Sequence, residues 1–288
     1  LAVDDWPNTF GTNMFLYPLA RMTGGIYYEH AHRLYGALVG LTTVVLAFTI
    51  WFGEERRWVR RLALAAVVMV IVQGLMGGLR VTGSFTLAVD PASEPILPLA
   101  ITHGVFGQMF FAVMVVLFSA TTRFWRMAEK PQPHEKALTD YGLTKWLLAV
   151  IILQIALGAV YRHTYTTENP IPHAGAAHLA MATIVMALAY VGSMRAALLY
   201  PEFPVIRRLG WALLILFSLQ IVLGVAALVA IMIRDAGPYP GEVIMTTAHQ
   251  ANGVLVRGAS AALAVWFRRL MLPIPVGREA AASEAIPA

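Results

Sequence analysis

Mostly apolar runs alternate with short polar segments along the whole chain. Seven such runs lie near residues 30–52, 60–82, 98–121, 144–162, 174–198, 207–233 and 244–268. Each is long enough to cross the ~30 Å of hydrocarbon in a bilayer as one α-helix. Before the first run, Leu1 to Ile26 is rich in Gly, Pro and Asn and carries Trp6, Phe10, Phe15 and Tyr17, which suit a membrane interface. Leu1 to Pro18 is too polar for a signal peptide or a span. A short amphipathic stretch around Met14 to Met22 reads either as an interfacial loop or as a lid. The Ala-rich tail after Pro273 is expected to be disordered.

Composition supports a membrane chain. Apolar residues make up 58% and mean hydropathy is +0.67, above the roughly 45–50% apolar content of soluble domains. The net charge of +5 does not mark a nucleic-acid face, because the basic residues cluster in short loops between apolar runs. Arg56, Arg57, Arg60 and Arg61 form one cluster. Arg123, Arg126, Lys130, Lys136 and Lys145 form a second. Arg195, Arg207 and Arg208 form a third, and Arg268, Arg269 and Arg278 a fourth. The alternate loops hold Asp4, Asp5, Asp90, Glu94, Glu168, Asp235 and Glu242. The positive-inside rule then puts the basic set in the cytoplasm. There is no cysteine, which removes disulfides, thiolate metal sites and cysteine nucleophiles.

The chain repeats itself. His32 and His103 are 71 residues apart, as are His178 and His249, and the second pair is displaced from the first by 146. Val59-Arg60-Arg61-Leu62 recurs as Ile206-Arg207-Arg208-Leu209, and Gln73-x-x-x-Gly77 recurs as Gln220-x-x-x-Gly224. Gln154 and Gly158 repeat that form in the fourth run, which has no partner in the first half. The implied fold is an all-α polytopic membrane protein of two pseudo-symmetric four-helix transmembrane bundles, with seven spans present and the first of eight lying before Leu1. The corresponding divisions are 1–125, a cytoplasmic linker at 126–143, 144–272 and the tail 273–288.

A histidine in hydrocarbon is costly and tends to have a task. Four of them, in two pairs on repeated helices and near the outer ends of their spans, suit axial ligation of two haems, against a purely structural reading. Small residues one turn on (Gly36, Gly107, Ala182 and Gly253) would let a flat group lie on the helix backbone. Zinc would need more ligands converging on one point. The halves differ in charge. The repeat maps Glu29 to Gly175, His30 to Ala176, Arg33 to Leu179 and Arg80 to Ala227. Glu29 and His32 share a helix face, so the carboxylate suits proton movement or stabilisation of a developing cation. The alternative is a helix-start acid favoured by the macrodipole. Arg33, Arg80 and Arg162 are candidates for haem propionates or for interfacial anchoring. His30, His163 and His173 read as solvated rim residues, and His134 as an inner-loop residue without a site role. Arg257, two turns past His249 inside the last run, reads as facing a polar cleft, as pairing with a lipid or cofactor group, or as snorkelling inward.

The chain resembles the haem A synthases. The resemblance rests on Glu29-x-x-His32-Arg33, on Gln73-Gly74-Leu75-x-Gly77-Gly78-Leu79-Arg80-Val81-Thr82-Gly83, on His103-Gly104-x-x-Gly107-Gln108 and on His249-Gln250. The opening Leu1-Ala2-Val3-Asp4-Asp5-Trp6-Pro7 looks like the loop after that family's first helix. The resemblance implies eight spans and oxidation of the C8 methyl of haem O to a formyl group, giving haem A for terminal oxidases. It implies that His32 and His103 flank the substrate haem O, that His178 and His249 hold a haem b electron relay, and that Glu29 is the catalytic carboxylate. It also implies a multi-pass protein of the bacterial plasma membrane, with haem sites toward the outer face. The expected partners are the lipid bilayer, an electron donor, haem O synthase or the terminal oxidase assembly machinery, and a second copy of the chain. Nucleic acid is not among them. Some members carry cysteine pairs in the outer loops; this chain is of the cysteine-free type. The alternatives are a dihaem b561-like electron-transfer cytochrome and a haem transporter.

Overall fold

A computed structural model describes residues 3, 5–82, 97–165, 171–234 and 237–274. Asp4, Asp90, Glu94, Glu168, Asp235 and Arg278, Gly83 of the long motif, and the tail from 275 lie outside the described residues.

The apolar runs form helices. In chain order the long ones are α1 (Gly24–Gly53), α2 (Arg57–Thr82), α3 (Leu97–Thr121), α5 (Ala137–Thr164), α6 (Ala174–Leu198), α7 (Pro204–Met232) and α8 (Pro240–Leu270), with a short α4 (Arg123–Met127) after α3. Two small strand pairs accompany them. β1 (Asn8–Thr9) and β2 (Thr12–Asn13) form an antiparallel hairpin, and β3 (Gln132–His134) pairs in parallel with β4 (Met271–Pro273). β4 thus ends at Pro273, where the predicted tail begins, and ties the end of α8 to the loop before α5.

Six helices, α1, α2, α3, α5, α6 and α7, are long and apolar enough to cross a membrane. Their outward side chains are large and apolar, among them Leu38, Val45, Phe48, Ile215, Val222 and Met232. In lipid, unlike water, such exposure carries no penalty. The chain is an all-α polytopic membrane protein. The seventh predicted run is also a helix, of 31 residues, but it is more polar and falls outside that set. α8 places Glu242, Asn252, Arg257 and Ser260 in buried positions, so its polar groups face protein rather than lipid.

Local chemistry sets the helix ends. α1 stops where the Glu54 carboxylate accepts from the Arg56 backbone N–H at 3.0 Å and from its guanidinium Nη2 at 2.7 Å, closing the turn into α2. α5 begins seven residues earlier than its apolar pattern predicts, with Asp140 in its first turn, where a negative charge suits the helix dipole. Asp140 is 2% exposed. It accepts from Arg195 of α6, with Nη2 to Oδ2 at 3.2 Å, and from the Tyr200 hydroxyl. Burial, followed by the bond to Asp140, pushes the Tyr200 phenol well above its ordinary range.

The residues group into two compact units, Leu1–Leu117 with Gly158–Ala174, and Phe118–Leu157 with Gly175–Ala288. This grouping cuts α5 and does not follow the linear halves. α1 packs on α2 in the first unit and α7 on α8 in the second.

Candidate functional site

The four histidines meet as two pairs. In the first unit, His32 of α1 faces His103 of α3, with ring centroids 6.4 Å apart and ring planes at 78°. In the second, His178 of α6 faces His249 of α8, with centroids 6.5 Å apart and planes at 77°. The near-identity of these values gives the sequence repeat a geometric counterpart.

Each of three histidines is clasped by a glutamine from the preceding long helix. Gln73 Nε2 donates to the His103 carbonyl at 2.9 Å and lies 3.4 Å from its ring Nε2. Gln154 Nε2 donates to the His178 carbonyl at 3.0 Å and lies 3.1 Å from its Nδ1. Gln220 Nε2 donates to the His249 carbonyl at 3.1 Å and lies 3.1 Å from its Nδ1. Gln220 is held in turn by Asn252, whose Nδ2 donates to Gln220 Oε1 at 2.6 Å and to the Leu216 carbonyl at 2.9 Å. His32 is exposed on α1 and has no such clasp among the described residues. The threefold Gln-x-x-x-Gly in the sequence is the signal for these glutamines, but by itself it marks only the repeat.

The glycines of that motif make room for the rings. A Cβ at Gly77 would stand 3.2 Å from His103 Cε1, and one at Gly224 would stand 3.1 Å from His249 Cε1. The small residues one turn past the histidines have a different neighbour from the one expected. A Cβ at Gly107 would stand 2.7 Å from Gln73 Nε2, and one at Gly253 would stand 3.5 Å from Gln220 Nε2. The room there is taken by the clasping amide. Gly36, by contrast with Gly107 and Gly253, faces open space.

Glu29 and Arg33 hold the N-terminal segment. Arg33 Nη2 donates to Glu29 Oε1 at 2.9 Å and to the Val3 carbonyl at 3.1 Å. Arg33 Nη1 donates to the carbonyls of Asp5 at 2.7 Å and Asn8 at 2.8 Å. The Val3 N–H donates to Glu29 Oε2 at 3.3 Å. The candidate propionate arginine Arg33 is thus buried and committed to loop carbonyls, because its fork reaches three of them at once. His30, read as solvated, is 1% exposed, 3.0 Å from Thr9 Oγ1 and stacked on Tyr17. Its neighbours come from a loop whose path the sequence does not specify.

The loop itself is shaped by Asp5, which accepts from the Phe10 N–H at 2.9 Å and the Gly11 N–H at 2.8 Å. Phe10 and Gly11 both have positive φ, 49° and 73°, as the tight turn between β1 and β2 requires. The Gly11 N–H is the main cause holding the Asp5 carboxyl below its ordinary value, with Phe10 adding to it against burial. Trp6 packs on α2 where a Cβ at Gly78 would fall 2.5 Å from its ring, one residue from the glycine that seats His103. The segment Met14 to Met22 forms no amphipathic helix, only a 3-10 turn at Leu19–Arg21.

Among the other candidates, Arg80 is half-buried and its Nε has no partner among the described residues. Arg162 is exposed. His163 is half-buried and His173 exposed. His134 lies in β3 against the Tyr200 ring, with centroids 5.1 Å apart.

The two rings of each pair lie close enough that His32 with His103, and His178 with His249, would be the residues to hold a flat metal macrocycle between them. The His103 Nδ1 is buried without a partner among the described residues. Among those residues no group of three or more His, Asp or Glu is placed to hold a metal ion.

Fold and site therefore define a class: a polytopic helical membrane protein with two glutamine-braced histidine pairs. The sequence profile of the family COX15-CtaA, described as cytochrome oxidase assembly protein, matches residues 9–173. The chain belongs to this family of cytochrome oxidase assembly proteins. The matched residues include Glu29, His32, Gln73 and His103, while His178 and His249 lie beyond them and are joined to them by the repeat. No curated protein and no solved structure matches the chain.

Proposed function

We propose that the chain is a haem A synthase, oxidising the C8 methyl of the substrate haem O to a formyl group. The observation that carries this reading is two histidine pairs of one geometry, only the first of which stands on a helix with an acid three residues away, in a chain of the cytochrome oxidase assembly family. His32 and His103 would flank the substrate. His178 and His249 would hold a resident haem b, which supplies one-electron redox chemistry when bound. Gln73, Gln154 and Gln220 orient the ligating rings, as outer partners of metal ligands do.

Glu29 is the proposed catalytic carboxylate. Arg33 and the Val3 N–H fix both of its oxygens, so it is held in one orientation on the helix that bears His32. A carboxylate there takes up a proton or stabilises positive charge as the methyl group is oxidised. The N-terminal loop is pinned beside it by Arg33 and by Trp6 on Gly78. Arg80, with an open buried Nε, is the arginine of the first unit best placed to take a propionate. The basic loops support an orientation, by the positive-inside rule, in which the histidine ends of the helices face outward from a bacterial plasma membrane.

The test is to purify the protein, extract its pigment and identify each haem by mass. Haem O or haem A together with haem b is the expected result. Haem b alone would instead indicate an electron-relaying dihaem cytochrome. Loss of all haem without any reductant dependence would indicate a transporter.

A further inference from the structure

Arg257 follows His249 by two turns on α8, as a buried cation with no counterion among the described residues. It is 2% exposed. Its Nη2 donates to the Gly253 carbonyl at 3.1 Å, which turns the guanidinium back along α8 toward His249, in line with the N-terminal tilt of helical side chains. His249, Gly253 and Arg257 follow one another at i, i+4 and i+8, along one side of the helix. Gly253 is also the residue against which Gln220, the clasp of His249, rests. The guanidinium therefore lies at the margin of the ligand site.

Two of its donors are open. Nε and Nη1 are buried and have no partner among the described residues. Three acids of this unit have partners other than Arg257: Asp140 pairs with Arg195 and Tyr200, Glu242 with Arg234, and Glu202 with His134. Snorkelling does not account for Arg257, because its side chain is buried and bends away from the Arg268–Arg269 end of α8. The repeat puts Phe111 at the matching place in the first half, so the cation is particular to the second. A guanidinium with open donors in a low-dielectric interior is strongly unfavourable unless an anion meets it.

We propose that Arg257 is the docking point for a carboxylate of the ligand gripped by His178 and His249. This rests on the reading that the pair holds a haem, whose propionates are the carboxylates it brings. The contact fixes which edge of the macrocycle points along α8 and supplies the buried guanidinium with its missing charge.

The experiment uses the full chain in detergent with His32→Ala and His103→Ala, so that only the second pair can take up haem. Haemin and haemin dimethyl ester, which lacks the free carboxylates, are titrated into it and followed by Soret absorbance. With Arg257 present the ester should bind about ten- to a hundredfold more weakly than the acid, the range of a charge-assisted contact. In Arg257→Gln the acid should weaken by a similar factor, and the acid–ester difference should shrink to about twofold or less. Equal binding of acid and ester with Arg257 present would overturn the proposal, as would an undiminished ester penalty in Arg257→Gln. The first comparison needs no substitution at Arg257, so it decides even if that variant does not fold. Haemin uptake that survives His178→Ala would overturn the haem reading of the pair, a failure distinct from that of the Arg257 contact.

Discussion

Glu29 carries two duties at once. Its carboxylate sits one turn from His32, and the same oxygens hold Val3 and Arg33. A substitution that removes the charge but keeps the shape separates these duties. Glu29→Gln should leave the N-terminal loop in place and haem absorbance unchanged. Formyl product should fall about a hundredfold or more, as expected for loss of a positioned acid–base group. Mass analysis of the haems made by the variant measures this, and an undiminished yield of haem A would remove Glu29 from the mechanism. That Glu29 and His32 share a helix face was legible in the sequence, because residues three apart are neighbours on a helix. The commitment of Arg33 to three loop carbonyls was not. Backbone carbonyls are the same at every residue, so nothing in the sequence says which ones a guanidinium will reach.

Between elements, the histidine pairs depend on small residues of the facing helix. Gly224 lets His249 press against α7, and Ala there would place a methyl 3.1 Å from the ring. Gly224→Ala should therefore lower haem retention in the second pair and leave the first pair loaded, read as haem per chain. Gly253→Ala is the contrast, because its added methyl meets the clasping amide only at ordinary contact distance, and retention should change little. A separate contact holds α6 to α7. A Cβ at Gly210 would run into the backbone of Ala196 and Ala197 and come 2.8 Å from the Ser193 carbonyl. Backbone atoms cannot rotate away, so Gly210→Ala should destabilise the fold by about 1–3 kcal/mol. Thermal unfolding in detergent checks it, and an unchanged midpoint would show that the helices separate freely. The period and length of the apolar runs predicted these helices well. Their polar extensions, such as the first turn of α5 with Asp140, escaped because a buried ion pair across 55 residues leaves no local pattern.

At the scale of the molecule, the proposed orientation can be tested directly because the chain has no cysteine. Ile171→Cys, between α5 and α6, and Lys130→Cys, between α4 and β3, lie at exposed positions. In intact cells a membrane-impermeant maleimide should label the first and leave the second unlabelled until the cells are opened. The reverse pattern would turn the histidine ends of the helices toward the cytoplasm.

The sequence alone determined the helices, their membrane character and the pairing of histidines, because hydrophobic period, length and internal repetition are properties of the linear chain. Only the tertiary structure decided which side chains brace those histidines, that Arg33 and His30 serve the N-terminal loop, and that Arg257 is buried with donors open. Those outcomes depend on distances between segments far apart in sequence. The chain fixes such distances only by packing its helices within each unit.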